Sequence, residues 1–360
     1  MRILFLQDHL RIGGTEKQTL AIAEFIQRKG HESGVMVFRP GGRLPVRELN
    51  LSFFKTLQPF NTRIDEWAPG LMRKILTYQP DVIVFMGKVA HLYLPTIQKY
   101  LPSITLVATY RSGKPPVSYY RKALQNAHGV ITNSQAEHKR LIRPYGIPER
   151  LIRTVHNGCL ISDEGISQEK AKSTKLRLLC SAMFRPQKNQ MELLSILAQI
   201  PPSIPWHCTF AGTGEMLKPC QAKARELGIT EQVTFTWSSN PIELYQTHDV
   251  VVHTSNKESL PNSLVEAQCC GLPVIAYLVN GVGECFKEGV SGFGIPFGNQ
   301  DAFRDALHLL GMDSDKRKTM SQAASAFGKE QFDFEARSSD FLAVVKAIHQ
   351  SRDSTDARSE

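Results

Sequence analysis

Apolar positions along this chain recur at two alternating spacings. Residues 2–7 alternate as a strand does, and Ile22, Phe25 and Ile26 then share one face of a helix, with Thr15 and Gln18 placed as a capping-box pair at its start. Strand-like runs follow at 34–38, 81–86, 105–110, 129–133 and 153–158, and helical stretches lie near 66–78, from 90 onward and over 134–142. Such alternation with short connections predicts a parallel sheet covered on both faces. Residues 160–175 are polar and lack periodicity, which predicts a linker. The alternation then restarts, with strands at 176–182, 206–212, 232–236, 250–253 and 273–276 and helices over 190–200 and 263–270. Beyond Pro296 the pattern is mostly helical and ends in a helix over about 332–350, with a polar, disordered tail expected at 351–360.

A chain of 360 residues suits two domains rather than one core, here 1–160 and 161–331. The opening MRILFLQ is too short an apolar run for a signal peptide, and no later run approaches the roughly 20 residues a membrane span needs, so a cytoplasmic protein is expected. The seven cysteines all fall at or after Cys159 without metal-ligand spacing, which favours reduced thiols. The net charge of +9 is uneven: residues 1–160 hold 23 Lys/Arg against 10 Asp/Glu. Within 39–75, Arg39, Arg43, Arg47, Lys55, Arg63, Arg73 and Lys74 alternate with Leu51, Phe53, Phe54, Phe60 and Trp67. That mixture suits an anionic membrane surface, or else a solvated face over buried aromatics. No nucleic-acid motif accompanies it.

The densest chemistry lies in SNKESLPNSLVEAQCCGLPVIA, residues 255–276. Leu260-Pro261-Asn262-Ser263 opens a helix with Asn262 as its expected N-cap, leaving the Ser263 and Leu264 amides to meet a phosphate. Glu258 before the helix and Glu266 inside it would be repelled by that phosphate unless each gripped neutral hydroxyls, which suggests sugar on both sides of a diphosphate. Arg185 and Lys188 follow a strand and open another helix, where they can clamp a diphosphate that gains charge as it leaves. Gly13 and Gly14, at the first strand-to-helix turn, allow backbone to approach the same diphosphate from the side opposite Ser263. Gly212 belongs to a Gly-x-Gly with Leu217 in place of a third glycine; this weighs against a dehydrogenase fingerprint and favours lining of a nucleotide pocket. Trp237, at a strand end, either meets a base or packs. Asp313-Ser-Asp315 precedes Lys-Arg-Lys on a charged helix and reads as a helix cap rather than a metal site. No histidine sits in a decisive context.

The pattern E-x-x-P-x-x-x-x-E-A-x-x-x-G-x-P-V-I-A resembles the signature of the family-4 retaining glycosyltransferases of GT-B fold, and Gly13-Gly14-Thr15-Glu16 and Val155-His156-Asn157-Gly158 are also similar to family turns. The resemblance implies two Rossmann-like domains facing across a cleft, with the final helix crossing back to the first domain. It implies transfer from a nucleotide sugar to a glycan or lipid-linked acceptor, with Glu258 on the donor sugar, Glu266 on the ribose and no metal required. Family members often place His where this chain has Arg111, which either holds an anionic acceptor or the reaction's phosphate, or is a surface residue. A nucleotide-sugar epimerase of the same fold and a non-catalytic binding protein are the alternatives.

Overall fold

The structure, a computed structural model, describes residues 1–11, 13–42, 44, 49–161, 173–238 and 241–356. Arg43, Arg47, residues 162–172 of the expected linker and residues 357–360 lie outside the described residues. In order, the first part comprises β1 (Arg2–Gln7), α1 (Gly14–Arg28), β2 (Glu32–Val37), β3 (Phe53–Thr56), α2 (Leu71–Tyr78), β4 (Val82–Phe85), α3 (Leu94–Tyr100) and β5 (Thr105–Tyr110). It continues with α4 (Ser118–Asn126), β6 (Gly129–Thr132), α5 (Gln135–Ile142) and β7 (Ile152–Thr154). Next come β8 (Leu176–Ser181), α6 (Gln190–Leu197), β9 (Trp206–Ala211), α7 (Leu217–Glu226), β10 (Val233–Thr236), α8 (Ile242–Thr247) and β11 (Val250–His253). The remainder is α9 (Asn262–Cys269), β12 (Val274–Leu278), β13 (Gly292–Pro296), α10 (Gln300–Met312), α11 (Ser314–Phe332) and α12 (Phe334–Asp356).

These elements make two compact units, one of Met1–Gly158 with Phe334–Glu360 and one of Cys159–Asp333. In the first, seven parallel strands run in the order β3-β2-β1-β4-β5-β6-β7. Side chains alternate across β1: Leu4 and Leu6 enter one apolar cluster with α2, α3 and α4, whereas Ile3 and Phe5 enter another with α1 and α12. Both faces are therefore covered, as β-branched and aromatic strands without a polar face require. Phe341, Leu342, Val345 and Ile348 of α12 supply part of that second cluster. The helix extends beyond the expected 332–350 and continues through 351–356, where a disordered tail was expected.

The second unit repeats the plan with six parallel strands in the order β10-β9-β8-β11-β12-β13. Leu178, Val252 and Ile275 face one cluster, and Leu179, Val251, Val274 and Ala276 face the other. In both sheets the strand order reverses beside the first strand of the unit, at β1/β4 and at β8/β11. The carboxyl ends of the strands at such a reversal diverge and leave a crevice where ligands settle.

Several local expectations need correction. Gly13 caps α1 without a side-chain bond, and Gln18 is buried and donates to the Gly158 carbonyl at 2.6 Å, so no Thr15–Gln18 capping box forms. α2 begins at Leu71 rather than near 66, and α6 ends at Leu197 rather than 200. β3 was not expected as a strand: Phe53 packs against Tyr78, while Phe54, Phe60 and Trp67 are exposed. Leu51 packs on the first unit's core. All seven cysteines are buried. Among the described residues no helix is long and apolar enough to cross a membrane.

Candidate functional site

At the β8/β11 reversal of the second unit, the loop after β8 carries Arg185 and Lys188 and the loop after β11 carries Glu258. Two backbone-directed bonds lace these loops together: the Asn256 amide donates to the Gln187 carbonyl at 2.9 Å, and Thr254 Oγ1 donates to the Asn189 carbonyl at 3.1 Å. Asn189, left-handed at φ 55°, turns the chain from the 3-10 turn Pro186–Lys188 into α6. Lys188 Nζ thereby reaches Glu258 Oε1 at 2.5 Å, and His253 Nε2, at the end of β11, donates to the same oxygen at 3.0 Å. Asn280 Nδ2 holds the Glu258 carbonyl at 2.7 Å.

Glu258 is buried, and burial alone would raise its pKa. The charge of Lys188 and the hydrogen bond from His253 outweigh that and hold the carboxyl down at about 2. An ionised carboxylate with one oxygen committed to two donors is fixed in direction, as a group that must accept hydroxyl hydrogens has to be. His253 was missed from sequence. Its only signal was a histidine at the end of an apolar strand five residues before the acid, and strand-to-loop geometry decides whether such a pair meets. Arg185 is exposed at the mouth of the same loop.

α9 starts one residue earlier than expected, with Pro261 rather than Asn262 as its cap. The Leu264 amide donates to the Pro261 carbonyl at 3.0 Å, so the amides preceding the first helical bond are those of Asn262 and Ser263. Leu260 and Leu264 bury their side chains in the core, leaving only main chain for a ligand. Glu266, one turn along, accepts a 2.8 Å bond at Oε2 from the buried Tyr245 hydroxyl, which orients it. Gly212 is required by packing: a Cβ there would stand 2.1 Å from the Ala182 carbonyl, so the turn after β9 can lie against the turn after β8. Trp237 is 47% exposed just beyond β10 and so belongs to the surface, not the core. Asp313 Oδ1 accepts from the Lys316 amide at 2.7 Å and caps α11.

In the first unit, Gly13 and Gly14 form the start of α1. Asp8, unremarked in the sequence, follows β1 and accepts from the Val89 and Ala90 amides at 2.9 and 2.8 Å. Burial pushes its carboxyl up to about 6 despite these bonds. Arg111 follows β5 and donates through Nη2 to Asn157 Oδ1. Burial draws it down to about 10. Asn157 lies in a turn fixed from two sides: Gln18 binds the Gly158 carbonyl, and a Cβ on Gly158 would stand 2.7 Å from Phe334 Cα. The buried His91 accepts from the Thr109 amide at 3.3 Å and bonds the Gly87 carbonyl at 2.7 Å, which leaves it a structural role.

Two family models match the chain: Glycosyltransferase Family 4 over residues 12–160 and Glycosyl transferases group 1 over residues 162–327. The chain is 42% identical over 83 residues to the Vi polysaccharide biosynthesis protein VipC/TviE of Salmonella typhi, covering 23% of this chain and 14% of that protein. It is 24% identical over 230 residues to the lipopolysaccharide 1,6-galactosyltransferase of Escherichia coli, covering 62% of this chain and 63% of that one. Each match thus spans less than two thirds of the relative's own length. Anabaena HepE, solved in complex with UDP-glucose, superposes with a TM-score of 0.81 at 23% identity over 96% of this chain and 100% of HepE. With its two Rossmann-like units and its two matching halves, the chain belongs to the family-4, group 1 glycosyltransferases and has their GT-B fold.

Proposed function

We propose that the protein moves a sugar from a nucleoside-diphosphate sugar to a glycan or lipid-linked acceptor in polysaccharide or cell-envelope synthesis, with retention of configuration. The observation that carries this reading is the Lys188–Glu258–His253 cluster at the β8/β11 crevice, next to the start of α9 and to Glu266. Relatives that act in Vi polysaccharide and lipopolysaccharide synthesis, and the UDP-glucose complex of HepE, support the donor and acceptor classes and make a UDP-sugar the first candidate.

In this reading Glu258 accepts hydrogen bonds from donor-sugar hydroxyls and Glu266 from the ribose. The Asn262 and Ser263 amides meet the diphosphate, and Trp237 faces the base. Arg185 and Lys188 neutralise the diphosphate as the anomeric C–O bond breaks, so the chain's own cations supply the countercharge without a metal. The acceptor hydroxyl attacks the anomeric carbon on the face the diphosphate leaves, and the departing phosphate oxygen takes its proton; no enzymic nucleophile is needed. Exposed Phe54, Phe60 and Trp67 beside exposed Lys55, Arg63 and Arg73 fit a peripheral position on an anionic, cytoplasmic membrane face.

A thermal-shift panel of UDP-, GDP- and ADP-sugars, followed by product analysis, tests the reading. A donor at 100 times its dissociation constant adds about 2.7 kcal/mol. Slow release of nucleoside diphosphate is expected. Isomerised sugar would indicate an epimerase, and binding without turnover a non-catalytic protein.

A further inference from the structure

Among the described residues Arg111 has no counter-ion. Its side chain has one hydrogen-bond partner, the neutral amide oxygen of Asn157, and no carboxylate of the described residues lies within ion-pair distance of it. Its Nε is buried without any partner. The one titratable group that acts on it is Tyr120, whose hydroxyl is committed to the Thr109 carbonyl at 2.5 Å. Two other partly buried arginines of the same unit are paired: Arg39 meets Asp65 at 2.7 Å and Arg140 meets Glu137 at 3.2 Å. Taking a guanidinium out of water with no opposite charge is unfavourable. The residue as a whole is nonetheless only partly buried.

Its placement is also fixed. β5 sets the backbone of Arg111 at the carboxyl end of the sheet, where ligands of parallel sheets bind. Asn157 is held by the Gly158 turn, which Gln18 and Phe334 pin from two sides. A planar, permanently charged fork held by one neutral partner and lacking its anion suits bidentate capture of a carboxylate or phosphate.

We infer that Arg111, positioned by Asn157, is the subsite for an anionic oxygen group, carboxylate or phosphate, carried by the acceptor. This rests on the transferase reading, which gives the acceptor to the first unit and the donor diphosphate to Arg185 and Lys188. It makes the acceptor a uronate-bearing or phosphorylated glycan rather than a neutral one.

The test measures binding of methyl β-glucuronide, glucose 6-phosphate and neutral methyl β-glucoside to the full chain, with UDP binding followed in parallel. The parent should prefer at least one of the two anionic probes over the glucoside by about tenfold. Which one it prefers distinguishes carboxylate from phosphate. Arg111→Gln should abolish that preference and leave UDP affinity unchanged. Asn157→Asp is the second variant. It supplies Arg111 with an internal carboxylate, and should raise the unfolding temperature while weakening both anionic probes. Equal binding of charged and neutral probes by the parent, or an unchanged preference in Arg111→Gln, overturns the subsite. Loss of UDP affinity in Arg111→Gln moves the anion to the donor and overturns the acceptor assignment. Absence of nucleotide-sugar binding by the parent counts against the transferase reading alone, because the anion preference is read separately.

Discussion

Lys188 and Glu258 each solve the other's burial problem. Removing Lys188 leaves a buried carboxylate with only His253 beside it, so Lys188→Ala should cost about 3 kcal/mol in urea unfolding. Most of that should return in the double variant with Glu258→Gln, a coupling that a double-mutant cycle reads directly. Donor turnover should fall more than donor affinity, because the charge Lys188 meets is greatest as the diphosphate departs. Asp8 behaves in the opposite sense. Its folded value of about 6 lies above the ordinary 3.8, so the folded state holds the proton more tightly. Stability should therefore fall as pH rises from about 4 to about 6, by at most about 3 kcal/mol. Asp8→Asn should flatten that interval in unfolding temperature against pH; an unchanged slope would place the titration elsewhere. Glu258, Glu266, Arg185 and Lys188 were legible because a fixed spacing within one helix or loop brings them forward. Asp8 and His253 were not. Asp8 earns its environment from amides 81 and 82 residues away, and no local pattern encodes such a meeting.

Among the elements, the long apolar strands were readable and the marginal ones were not. β1 and β5 carry nearly continuous burial that marks them in sequence, whereas β3 is four residues at a sheet edge with two of them exposed. Sequence points to a start of α9 one residue later because Asn is the better capping side chain, yet Pro261 already has the extended backbone of a cap and its carbonyl takes the first helical bond. β3, α2 and the connection between them carry exposed Phe54, Phe60, Trp67 and Leu76 with exposed Lys55, Arg63 and Arg73. Vesicles of anionic lipid should sediment the protein at low salt and neutral vesicles should not, since each basic residue near the surface contributes about 1 kcal/mol. Replacing Lys55, Arg63 and Arg73 by Gln should reduce binding; equal indifference to both vesicle types removes the membrane role and leaves the transferase reading intact.

At the scale of the whole molecule, two repeats of one α/β plan were legible from the alternation of periods, because each strand needs both faces covered and each helix supplies one. The membership of α12 is set by packing: Phe341, Leu342, Val345 and Ile348 complete a cluster built by β1, β2, β4 and α1, and Ile348 fills the space that the missing side chain of Gly129 leaves. A chain ending at 333 should keep the second unit folded and lose the first, which limited proteolysis would show as rapid cleavage confined to residues 1–158. During synthesis the same arrangement reverses the usual order of events. Residues 1–158 leave the ribosome before the second unit but lack a wall of their core until 334–356 follow, after that whole unit has been made. The unit begun before the other is thus the later to finish folding, and in the interval its exposed apolar face is where a chaperone would be needed.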